Sequence, residues 1–85
     1  MDAVKAQIII KLERRDIWEN KLINLSDLIK AVPTHLRGEA KTAIEELHKE
    51  GFLNKKPGNQ SEFRYSLNIG KKAEIDEIVN GRTKV

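Results

Sequence analysis

The 85-residue chain predicts a small α+β domain: three helices, a two- to three-stranded antiparallel sheet and a short C-terminal helix. Three observations predict it. Residues 34–53 place Leu36, Ala40, Ala43, Ile44 and Leu47 at the i, i+4, i+7, i+8 spacing of one helical face. Gly51 follows directly, suits a left-handed helix end, and gives way to the apolar pair Phe52-Leu53. Phe63, Tyr65, Leu67 and Ile69 then alternate with Arg64, Ser66 and Asn68, the period of a half-buried strand.

The elements follow in order. Val4, Ile8, Leu12 and the aliphatic stem of Arg15 form one stripe with Ile9 beside it, which predicts a first helix over residues 3–16. The run Ile8-Ile9-Ile10 also suits a buried strand, but its charged, periodic flanks favour helix. Ile17 and Trp18 fold back onto the core, with Trp18 as an anchor. Residues 22–24 can make a small first strand. Ser26 is placed to cap a second helix, with Asp27 complementing the dipole and Leu28, Ile29 and Val32 on its buried side. Pro33 stops that helix, and Thr34 can cap the third. The turn formers Pro57-Gly58-Asn59-Gln60-Ser61 join residues 52–56 to residues 62–68 as a hairpin. Gly70 ends the strand. Ile75, Ile78 and Val79 mark a fourth helix over residues 71–80, ended by Gly81. One domain over residues 1–81 and a frayed tail over 82–85 complete the expectation.

Composition narrows the function. There is no cysteine, which excludes disulfides, thiolate metal sites and cysteine catalysis. The apolar run near the start is too short for a signal core or a membrane span. A cytoplasmic protein with no membrane association is expected. The net charge is +3, and its placement says more than its size. Residues 1–50 carry nine Lys/Arg and nine Asp/Glu, while residues 51–85 carry seven against four. The excess lies in and after the hairpin, where a polyanion would bind, although an ordinary solvated surface has the same look. His35 and His48 have no third ligand at metal spacing and read as exposed polar residues. No phosphate-loop, zinc-protease or nucleophile-elbow pattern occurs. No enzyme activity, metal or cofactor is expected.

A short helix, a turn, a longer amphipathic helix and a returning hairpin resemble the winged helix-turn-helix family. The residues that carry the resemblance are Leu28 and Val32 in helix two, Ile44, Leu47 and Gly51 closing helix three, and Tyr65 and Leu67 in the returning strand. These are packing positions and cover roughly residues 4–69. The span from Leu28 to Gly51 is about one residue longer than is usual in that family, and Gly38 sits near the start of helix three. Helix three therefore begins either at Thr34, tolerating the glycine, or near Gly38.

The resemblance implies a DNA-binding regulator with helix three in the major groove and the hairpin, the wing, on the backbone. The residues it points to on helix three are Thr34, His35, Arg37, Gly38, Lys41, Thr42 and Glu45. Arg and Lys can donate to guanine and Glu can accept from cytosine. On the wing they are Lys55, Lys56, Asn59, Gln60 and Arg64. Arg37 opposes the helix dipole by about 0.3–1 kcal/mol, and a phosphate contact or simple tolerance accounts for it. Gly38 costs about 1 kcal/mol against Ala, which close packing of helices two and three explains more simply than close approach of DNA. Glu39, Glu45, Glu46 and Glu50 stand against a DNA probe unless they face away or pair, as Lys41/Glu45 and Glu45/Lys49 can at i, i+4. Lys at a sheet edge also guards against aggregation. A winged helix used for protein contact is the rival reading. RNA binding is the weakest, with Phe63 the one placed stacking residue. Double-stranded DNA is the expected partner, and a homodimer through Ile75, Ile78 and Val79 competes with simple capping of the core.

Overall fold

The computed structural model describes residues 3–58 and 62–83, the last two by backbone alone. Four helices and a three-stranded antiparallel sheet follow in the order α1 (Ala3–Arg14), β1 (Ile23–Asn24), α2 (Leu25–Ile29), α3 (Arg37–Lys49), β2 (Leu53–Pro57), β3 (Phe63–Leu67) and α4 (Lys72–Thr83). Single 3-10 turns precede α3 (Thr34–Leu36) and α4 (Ile69–Lys71). The sheet order is β1-β3-β2. This layout is compatible with a winged helix. Among the described residues no helix is long and apolar enough to cross a membrane.

The first helix forms for the reason its periodicity gives: Val4, Ile8, Ile9 and Leu12 are all buried. Arg15 lends it nothing, because the helix ends at Arg14, Asp16 turns left-handed at φ 57° and Arg15 lies exposed. Ile17 returns to the core, and its carbonyl accepts the Leu67 N–H at 2.9 Å. Trp18 runs beside Leu67, half-buried against the core. That added backbone covers the end of β3 and breaks the expected alternation. Ser66, on the outer face, is fully buried, and its hydroxyl donates to the Glu19 carbonyl at 2.8 Å.

Two expected caps are not formed. Ser26 lies inside α2, behind Asn24, whose side chain makes no cap bond. The free Ser26 N–H is taken instead by the Glu62 carboxylate at 2.6 Å, reaching across from the tip end of β3. Thr34 starts the 3-10 turn, and α3 itself begins at Arg37 behind Leu36. The 3-10 turn takes up residues 34–36, so Gly38 falls in the first turn of α3. An added Cβ at Gly38 would meet nothing within 4 Å. Close packing of α2 on α3 is therefore not what its small size serves.

The far end of α3 closes as its sequence requires. Gly51 has φ +87°, the Phe52 N–H reaches the Leu47 carbonyl at 2.9 Å and the Gly51 N–H reaches His48 at 3.1 Å. This paired closure needs a residue without Cβ strain at Gly51. It aims Leu53 straight into β2, which pairs with β3 in the register Leu53↔Leu67 through Pro57↔Phe63. Gly58 begins the hairpin turn, where a Cβ would collide with the Glu62 carbonyl oxygen.

The core gathers Ile8, Leu12, Leu28, Ile44, Leu47, Tyr65 and Leu67 between the helices and one face of the sheet. The fourth helix packs on α1. It runs through Gly81 to Thr83 instead of ending at Gly81. Ile75 is fully buried, and Ile78 and Val79 pack against the core. The stripe read as a homodimer surface caps the chain's own interior, which leaves Ile75 no free face.

Candidate nucleic-acid interface

Helix α3 turns Ala40, Ala43, Ile44 and Leu47 inward. At about 3.6 residues per turn, Arg37, Gly38, Lys41, Thr42 and Lys49 are left exposed. Its acids are sorted to the sides. Glu46 and Glu50 turn toward α1, where Lys5 Nζ lies 3.7 and 3.2 Å from them. Glu45 turns toward the hairpin, 3.2 Å from Lys55 Nζ. The expected pairs Lys41/Glu45 and Glu45/Lys49 do not form, because Glu45 is committed across the sheet. Lys41 and Lys49 have no ion-pair partner among the described residues.

The other candidates on this helix divide. Gly38 and Thr42 line a cleft of about 520 Å³ against the start of α1, with Glu39 and Glu46 on its rim. Lys41 lies on the opposite flank, facing α2 and the hairpin. Thr34 and His35 are exposed in the 3-10 turn. Arg37 Nε donates to the Val32 carbonyl at 3.2 Å. That bond braces the turn before α3 and gives a structural reason for a cation at a helix start. The remaining guanidinium N–H groups can still reach outward.

Strand alternation gives the hairpin two faces. Leu53, Lys55 and Pro57 oppose Leu67, Tyr65 and Phe63 on the face toward α3, and Asn54 and Lys56 oppose Ser66 and Arg64 on the outer face. Lys55 is thus not a free phosphate-binding cation. Its ammonium sits against Glu45 and 4.3 Å from the Phe63 ring centroid. Glu45 is likewise not a free base reader. Its Oε1 also accepts from the Tyr65 hydroxyl at 3.0 Å. Two side chains, Lys55 and Tyr65, therefore tie the hairpin to α3, and Glu45 is their shared acceptor.

The outer face is different. Lys56 and Arg64 stand directly opposite each other. Arg64 is oriented by its Nε bond to Asn24 Oδ1 at 3.2 Å, and Lys56 has no ion-pair partner among the described residues. With Arg64 turned toward Asn24 on β1 and Lys56 on β2, the two cations spread a basic surface over the outer face of the sheet. Asn59 and Gln60, also expected here, lie outside the described residues.

Ionisation follows these contacts. The Lys55 ammonium, helped by the Tyr65 hydroxyl, holds the Glu45 carboxyl below its usual range against a smaller opposing effect of burial. Burial, and then the Glu45 carboxylate, push the Tyr65 hydroxyl up to about 12. The Ser26 hydroxyl and N–H lower Glu62.

Sequence reasoning placed Arg37, Lys41, Lys56 and Arg64 on accessible surface, but it missed Tyr65, Glu62 and Asn24 as the groups that arrange it. The one available signal was a tyrosine, with a hydroxyl to satisfy, at a core strand position. No three His, Asp or Glu side chains come together as a metal site among the described residues. Comparison with protein-family models, with curated proteins and with solved structures finds no match for this chain.

Proposed function

We propose that the domain is a winged helix-turn-helix that binds double-stranded DNA, in the manner of a transcriptional regulator. In this reading the exposed face of α3 presents Arg37, Lys41 and Thr42 to the major groove. Lys56 and Arg64 neutralise phosphates from the outer face of the hairpin. Glu45, Lys55 and Tyr65 touch no DNA and hold the hairpin at a fixed angle to the helix. The observation that carries the reading is the placement of Lys56 and Arg64 at partnered positions on the outer face of the hairpin, a surface suited to phosphates. The sorting of the α3 acids supports it, since three of the four are paired with Lys5 or Lys55.

Fluorescence anisotropy on a mixed-sequence duplex, from low to physiological salt, tests it. Each neutralised phosphate contributes a log–log salt slope of about −0.9. Lys56→Glu with Arg64→Glu should weaken binding and flatten that slope by about 1.8. A folded domain that binds no duplex at low salt would sink the proposal. One observation favours a second reading, contact with another protein: the cleft between α1 and α3, whose floor includes Val4, Leu36 and Ala43. Binding there would respond far less to salt.

A further inference from the structure

Phe63 is not explained by phosphate contact. Of the four aromatic residues, Tyr65 is buried, Trp18 and Phe52 pack against the core, and Phe63 is 44% exposed. It lies at the tip end of the hairpin, on the face toward α3, paired with Pro57. The Lys55 ammonium, 4.3 Å from the ring centroid, holds the ring in place. Beside the ring opens a groove of about 370 Å³, floored by Leu25 and Ile29, with Lys41 on the α3 side and Ser26 and Glu62 on the α2 side. A smaller hollow of about 250 Å³ adjoins the same ring beside Pro57 and Gly58. The acid on this rim, Glu62, has its carboxylate turned onto the Ser26 N–H.

A standing aromatic ring, an apolar floor and a cation across the groove fit one planar aromatic group joined to an anion. A nucleotide is such a group. Inside a continuous duplex both faces of each base are already stacked, so the ring can reach only a base that has left the stack. Resting on the DNA-binding reading above, we infer that the domain's preferred substrate is duplex DNA ending in a single-stranded junction. The first unpaired base stacks on Phe63, and Lys41 meets its phosphate. The groove is continuous with the proposed duplex contact, because Lys41 belongs to the exposed face of α3.

The test compares a blunt duplex with the same duplex bearing a short overhang on either strand and 2-aminopurine at the first unpaired position. Base–aromatic stacking should make the junction bind on the order of tenfold tighter than the blunt duplex, with quenching of the 2-aminopurine fluorescence. Phe63→Leu should abolish the preference and the quenching while leaving blunt-duplex affinity unchanged, and Phe63→Trp should keep both. The ring is exposed, so neither variant should shift the melting temperature appreciably. Equal affinity for blunt and junction DNA overturns the inference, as does a preference that survives Phe63→Leu, or a single strand alone binding as tightly as the junction. These results leave salt-dependent duplex binding standing. Absence of binding to every DNA at low salt overturns the inference and the function it rests on together.

Discussion

Replacing Glu45 with Ala and Tyr65 with Phe, singly and together, measures the clamp between α3 and the hairpin. The Tyr65 residue is 1% exposed, and its hydroxyl lies 3.0 Å from Glu45 Oε1. A hydrogen bond to a charged group contributes about 1.5–3 kcal/mol. The Glu45 side chain is 46% exposed, so water screens it and the lower end, about 1.5 kcal/mol, applies. The Lys55 pair, also partly exposed, adds about 0.5 kcal/mol. Ala is the strongest helix former and introduces no new loss in α3. Glu45→Ala should therefore destabilise the domain by about 2 kcal/mol, or roughly 10 °C in Tm for a domain of this size. Urea unfolding of wild type, both single variants and the double variant should give a coupling of about 1 kcal/mol. Additivity within about 0.3 kcal/mol would refute a shared bond. The pH dependence is a second check. Glu45 titrates lower in the folded chain than its usual 4.5, so its stabilisation is complete above that value and is lost as the pH falls below it. Glu45→Ala should flatten that part of the acid limb. At the alkaline end the folded Tyr65 keeps its proton to about 12, whereas the unfolded residue releases it near 10. Stability should decline over that interval, and Tyr65→Phe should remove the decline.

Lys56→Glu alone should separate stability from binding. It places an acid at the register position opposite Arg64, which should stabilise the hairpin by about 0.2–1 kcal/mol, while duplex affinity falls. A variant that loses both stability and affinity would contradict the assignment of this pair. Gly51→Ala should cost about 1–2 kcal/mol, because the backbone there is left-handed and the new Cβ lies 3.2 Å from Lys71 Cε. Gly38→Ala, in a helix and facing open space, should instead raise stability by about 0.5 kcal/mol, and thermal melts of the two variants should move in opposite directions. Glu62→Gln should speed hydrogen exchange of the Ser26 amide, which that carboxylate holds; unchanged exchange would refute the cross-strand cap.

Periodicity carried the fold because burial obeys it: the stripes at Val4, Ile8 and Leu12 and at Ala40, Ile44 and Leu47 are the stripes that pack. Gly51 was legible because a single backbone conformation calls for it. The interface was less legible, for a different reason. A charged residue's sequence neighbours do not say which element it will face. Glu45 has lysines at four residues on either side, yet it bonds Lys55 on another element, because the Gly51 turn brings β2 back beside α3. Ser26 has the chemistry of a cap, yet a carboxylate 36 residues later makes the bond, because the tip end of β3 lies against the start of α2. Lys55 and Lys56 are adjacent and chemically identical, and pleating alone decides that one is bound to a glutamate and the other faces solvent. The charge count of the hairpin was therefore a sound guide to the presence of a basic surface and a poor guide to its members. Strand parity would have separated the two lysines once Leu53 was assigned to the core, since residues two apart share a face. Of the three wing cations, that parity rule leaves Lys56 and Arg64 on the outer face, and turns Lys55 into the brace beside Phe63.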